Sequence, residues 1–170
     1  KYYHIIGSII WGLSINIGNH GVYLFPEFQL GNSYKADYLL VGKSSGGYEF
    51  IFIELESPYG NITLKDGQLG AEFRDGISQL EDWKRWLPAN YSSFGEIMRK
   101  HKNSARDLPE EFYILDMSRF HYVVISGRRS DFQDKTYIIK RERKKADDID
   151  IIHYDNLYDF SNNLIGKLTY

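Results

Sequence analysis

Cysteine is absent from the chain. No disulfide framework, thiolate zinc site or thiol nucleophile can be built from it. Proline is scarce, with four residues among 170. No Pro/Gly-rich linker, repeat or low-complexity tract divides the sequence, so one domain over 1–170 is expected, within the usual span of roughly 100–200 residues. A chain of this size can bury a core without covalent staples. Long apolar runs are also missing. The stretch from Ile5 to Leu13 is too short for a bilayer and is broken by Gly7 and Gly12. No cleavage signature follows it. These absences lead to the expectation of a cytoplasmic protein with no membrane partner. No G-x-x-x-x-G-K-[ST] element is present, which leaves phosphate-loop nucleotide hydrolysis unsupported. The five histidines, at 4, 20, 101, 121 and 153, lack ligand spacing. The chain opens at Lys1 rather than Met, so a longer protein with a preceding region is expected.

An excess of one charge is missing too, at a net −2, which excludes a polybasic tail. The sum hides an asymmetry. From Arg119 to Lys145 there are nine Lys/Arg against three Asp/Glu, a local +6 that leaves −8 elsewhere. A basic stretch beside an acidic remainder suits contact with a phosphate backbone. A solvated helix face is the plainer alternative. Within this stretch Arg128, Arg129 and Lys140 are the candidate phosphate contacts, the arginines by bidentate pairing. Surface ion pairs are the alternative for both arginines.

Residues 22–28 read as a short strand, with Pro26 pointing to an edge position or a bulge. Residues 35–42 and 48–56 read as strands on either side of a turn at 43–47. Residues 57–70 carry breakers and read as a loop. The apolar period then changes. Phe73, Ile77, Leu80, Trp83 and Leu87 recur at helical spacing, and Pro88 is expected to end that helix. A second helix is expected over 93–105, strands over 112–115 and 121–126, a basic helix over 132–146 and a strand over 149–153. Asp155 is placed to N-cap a last helix reaching about residue 167. This order implies an α/β fold with a mixed central sheet flanked by helices.

The chemically informative group is Asp37, Glu54, Glu56 and Gln79. Strand side chains alternate faces, so Glu54 and Glu56 share one. Asp37 lies on the neighbouring strand. Three such carboxylates would repel and raise one another's pKa unless a cation sat among them. Mg²⁺ suits oxygen ligands, and Mn²⁺ is an alternative. Acids that simply face water are the competing reading. However, Phe50-Ile51-Phe52-Ile53 before Glu54 is apolar on both faces, as in a buried central strand. Glu27, ten residues before Asp37, is a further candidate carboxylate. Trp83 and Trp86 are expected to pack in the core rather than stack on bases.

An acid on one strand and Glu54-x-Glu56 on the next resemble the PD-(D/E)XK nuclease signature. Gln79-Leu80-Glu81-Asp82-Trp83 resembles the glutamine-plus-aromatic helix motif of some members. Five segments are similar to the Shedu family of bacterial anti-phage nucleases. They are Phe25-Pro26-Glu27-Phe28 with Gly31 and Ala36-Asp37; Ile53-Glu54-Leu55-Glu56-Ser57-Pro58; Gln79 with Asp82-Trp83 and Trp86; Val123-Val124-Ile125 with Gly127-Arg128-Arg129; and Ile151 with Tyr154-Asp155 and Leu157. The resemblance implies a Mg²⁺-dependent DNA endonuclease on a restriction-endonuclease-like core, working as a homo-oligomer in a bacterial cytoplasm, with a variable N-terminal region. It places Asp37, Glu54 and Glu56 as catalytic and metal-binding residues and adds Gln79 and Glu27. One departure stands out. The general signature has lysine where this chain has Glu56. Glu56 is expected to act as general base or further metal ligand. A replacement cation is sought at Lys35 first and Lys65 second. The alternative function is an inactive nuclease fold that binds nucleic acid or serves as an oligomerisation or regulatory module.

Overall fold

The structure, a computed structural model, describes residues 22–102, 104–105 and 107–164. The Ile5–Leu13 stretch and the expected helix end near residue 167 lie outside the described residues. Five strands, β1 (Val22–Leu30), β2 (Tyr34–Ser44), β3 (Gly47–Leu55), β4 (Phe120–Ile125) and β5 (Ile149–Ile152), form one sheet in the order β1-β2-β3-β4-β5. The first two pairings are antiparallel and the last two parallel. Among the described residues four helices accompany it: α1 (Ala71–Ala89), α2 (Tyr91–His101), α3 (Asp134–Asp147) and α4 (Tyr154–Leu164). The fold is the expected α/β arrangement, compatible with a restriction-endonuclease-like core.

The helices are placed by the handedness of the crossovers. The connections β3 to β4 and β4 to β5 both step the same way across the sheet. Right-handed crossovers then put their helices on one face. Accordingly Phe73, Leu80 and Trp83 of α1, Phe94 and Met98 of α2 and Tyr137 of α3 pack with Phe50, Phe52 and Val124. On the opposite face Ile51, Ile53, Val123 and Ile125 pack with Tyr154 and Leu157 of α4. β3 is the middle strand, and Phe50 to Ile53 are buried on both faces, as their unbroken apolar run predicts. Trp83 is fully buried and Trp86 packs on the core.

β1 is an edge strand that carries Pro26, as expected, and it changes face there. Phe25 and Phe28 both point into the main core, because Glu27 between them is left-handed (φ 52°). The β2–β3 hairpin closes tightly, with Ser44 opposite Gly47.

Three local expectations are corrected. Pro88 does not stop α1, which runs to Ala89. A proline in the last turn forfeits only one helical bond, and Asn90 then closes the end by donating from its backbone and its side-chain amide to the Trp86 carbonyl. Residues 112–115 are not a strand. Glu110–Tyr113 is a short 3-10 turn after Pro109, and it serves to drive Phe112 edge-on against Tyr48 and Phe50. Asp155 does not precede α4 as a cap. It lies in the first turn and accepts hydrogen bonds from Arg128 and from the Arg129 backbone.

Candidate active site

The parallel strands β3 and β4 end side by side, and the ends of such strands are where α/β sheets bind ligands. β2 is antiparallel to β3, so the beginning of β2 reaches the same edge. The β2–β3 register stops at Tyr38 opposite Ile53, and one step further Asp37 faces Glu54. There the ladder gives way to a side chain: Asp37 Oδ2 accepts the Leu55 backbone N–H at 2.8 Å. Beyond β3, Glu56 is still held to β4, its N–H donating to the Ile125 carbonyl at 2.9 Å. The three acids are thus fixed by backbone pairing and not by flexible loops.

Glu54 is 8% exposed, and its Oε2 is buried with no hydrogen-bond partner. Burial, then the charges of Asp37 and Glu56, push its carboxyl up to about 8. The Gln79 amide and the Asp37 backbone oppose the shift. Glu56 is also raised, first by burial, then by Glu72, Asp75 and Asp37. Gln79 of α1 donates from Nε2 to Glu56 Oε1 at 3.3 Å. Tyr154 of α4 donates its hydroxyl to the Glu56 carbonyl at 2.8 Å. Asp37, Glu54, Glu56 and Gln79 are therefore brought together as the sequence predicts.

Gly76 makes this possible. A Cβ there would sit 2.6 Å from Val124 Cγ2 and 2.9 Å from Glu56 Cγ. The missing side chain lets α1 press on the ends of β3 and β4 and carry Gln79 to the acids. Sequence reasoning passed over Gly76, Glu72, Asp75 and Tyr154 as site residues. A glycine inside an otherwise strong amphipathic helix was the available signal for the first.

Glu27 and Lys35 stand at the rim. The pairs Pro26 to Tyr38 and Phe28 to Ala36 bracket Glu27 and place it opposite Asp37. Its carboxylate forms an ion pair with Lys35 Nζ. Glu27, Asp37 and Glu54 all favour the charged form of Lys35. Lys65 lies exposed in the loop before α1.

The basic candidates are placed differently. Arg128 clamps Asp155 of α4 with two nitrogens, holding that carboxyl well below the usual range. Arg129 pairs with Asp159. Both make the ion pairs that were the alternative to phosphate clamping. Lys140 is partly buried and lowered by desolvation. They are not part of the acid cluster, though the β4 end that carries Arg128 adjoins it: Gly127 N–H donates to the Ser57 carbonyl.

Among the described residues no group of three or more His, Asp and Glu is gathered as a ready metal cage. The donor set still fits a hard divalent cation in kind. It consists of carboxylate oxygens, one of them buried and unpartnered, on groups that burial and mutual repulsion resist ionising.

A family model described as the Shedu protein SduA, C-terminal, matches residues 3–158. No curated protein matches. Among the described residues no helix is long and apolar enough to cross a membrane.

Proposed function

The chain belongs to the family of the Shedu protein SduA C-terminal region, which suggests a role in anti-phage defence, and from that premise we propose that it is a divalent-metal-dependent endonuclease domain that hydrolyses phosphodiester bonds in DNA. The observation that carries this reading is the unpartnered, buried Oε2 of Glu54, set among the charges of Asp37 and Glu56. Such an arrangement is costly for a structural role alone, because each carboxylate disfavours the next. It suits a site whose working partner is a cation.

In this reading Asp37, Glu54 and Glu56 hold Mg²⁺, with Mn²⁺ as a substitute. A bound ion of this kind supplies Lewis acidity toward a phosphate oxygen and makes water more acidic. The chain's own part is positional. The Leu55 N–H fixes Asp37, and Gln79 orients Glu56. Glu56, the acid that Gln79 contacts, takes the proton of the attacking water. DNA is the proposed partner, in a homo-oligomer.

A second reading has an observation of its own. Glu56 stands where the general nuclease signature carries a lysine. This favours a nuclease fold that binds nucleic acid without cutting it. Incubation of the full chain with linear and circular DNA separates the two. Cleavage with Mg²⁺ or Mn²⁺ that chelator abolishes, and that is lost in Asp37→Ala, supports the first. Retention of DNA without cleavage under every metal condition supports the second.

A further inference from the structure

An all-carboxylate site meets a difficulty of its own. A phosphodiester is an anion, and negative charge on its oxygens grows as the attacking oxygen adds to phosphorus. Asp37, Glu54 and Glu56 repel that charge, with Glu72 and Asp75 close enough to act on Glu56. Catalysis at such a centre gains most from a donor or cation aimed where charge develops. The candidate cations of the chain are therefore informative. Arg128 and Arg129 are committed to Asp155 and Asp159 of α4. Lys140 is partly buried and feels Asp150 instead. Lys65 is exposed in the loop before α1.

Lys35 differs from all of these. It lies two residues before Asp37 on β2. Its ammonium group is paired with Glu27, and Glu27 stands opposite Asp37 across β1 and β2. Glu27 takes this place through a left-handed backbone (φ 52°) that a residue with a side chain seldom adopts. The side chains of Lys35 and Glu27 are both largely solvent-accessible, at 46% and 63%. The ammonium group is thus tethered, yet reachable by substrate.

We propose that Lys35, tethered by Glu27 at the rim of the carboxylate cluster, is the cation that this site presents to the phosphate being cleaved. The inference rests on the endonuclease reading above and adds a residue to it. Lys35 reaches the substrate from β2, the strand of Asp37, and so relieves the β3 position of Glu56 of that role. Glu27 is then a positioning residue, acting through Lys35.

The test uses the full chain, with cleavage in Mg²⁺ and DNA affinity in Ca²⁺ measured over a range of salt. Lys35→Ala is expected to slow cleavage by about 10²–10³, the scale of losing one transition-state donor, with an unchanged melting temperature. Lys35→Arg should retain most of the rate. In Ca²⁺, Lys35→Ala should flatten the log-affinity against log-salt slope by about 0.9, one phosphate contact. Lys43→Ala, at the opposite end of β2 from Lys35 and Asp37, serves as the control that changes neither readout. If the wild type cleaves and Lys35→Ala cleaves equally well, the proposal is overturned while the endonuclease reading stands. If the wild type does not cleave under any metal condition, the endonuclease reading falls and the proposal falls with it; if it does cleave, an unchanged salt slope in Lys35→Ala also overturns the proposal.

Discussion

Burial and two neighbouring carboxylates act on Glu54 in the same direction, and the consequence can be followed in pH. Its carboxyl is raised from 4.5 to about 8 in the folded chain. A raised carboxyl favours the protonated folded form. The stability it contributes is therefore complete below about pH 4.5 and is lost as pH rises through about 8. The metal-free protein is expected to melt at progressively lower temperature between pH 5 and pH 8. Glu54→Gln, which carries no charge at any pH, should flatten that decline. Mg²⁺ should raise the melting temperature more at pH 8 than at pH 5, because it binds the ionised form. Thermal melts of both proteins across this range, with metal and with chelator, check all three outcomes. At the same scale, Glu56→Gln is expected to cut cleavage by about 10²–10⁴, as for loss of a general base. DNA affinity should barely move, since volume is conserved. An undiminished Glu56→Gln enzyme alongside an active Glu56→Lys enzyme would show that Glu56 has no chemical part.

Helix α1 is the element on which the site's geometry turns. Helix propensity alone favours Ala over Gly at position 76 by about 1 kcal/mol. The space does not: the new Cβ would fall 2.6 Å from Val124 Cγ2 and 2.9 Å from Glu56 Cγ. Overpacking of this kind costs about 1–3 kcal/mol, so Gly76→Ala is expected to destabilise the fold despite the helical gain. It should also slow cleavage, because Glu56 and Gln79 must part. Denaturant unfolding and cleavage rates together test this; a stabilised, fully active Gly76→Ala protein would show that α1 is free to shift. The element scale also explains why Pro88 misleads. A proline is disruptive in a helix interior, but in the final turn it forfeits one bond, and Asn90 supplies the closure.

At the scale of the molecule, the described helices are shared unequally between the two sheet faces. Among the described residues three helices share one face and α4 packs on the other. Arg128 and Arg129 fasten α4 to the end of β4 through Asp155 and Asp159. Neutralising Arg128, Arg129 and Lys140 together is expected to weaken DNA affinity on all sequences and flatten the salt slope by about one unit for each lost phosphate contact. It should also lower the melting temperature, because α4 loses its anchors. Affinity measured against salt, beside melts of the same variant, separates the two roles. A lowered melting temperature with an unchanged slope would make these residues structural only.

Periodicity and breakers make the sheet's strands and the main helix legible in the amino-acid sequence alone. Alternation on β3 and the acid on β2 make Asp37, Glu54 and Glu56 legible as a group. These are local matters: a period of two or of 3.6, a run apolar on both faces, an acid two residues from another. Local reading fails where tertiary contact overrides local preference. Phe112 belongs to an aromatic plug and not to a strand, and Asp155 answers to Arg128 and not to its own helix end. Only the tertiary structure decided that Glu27 turns left-handed and holds Lys35, that the absent side chain of Gly76 admits α1, and that Glu54 Oε2 is sealed without a partner. Each depends on which distant segments meet, a property of the packed sheet and helices that no local pattern encodes.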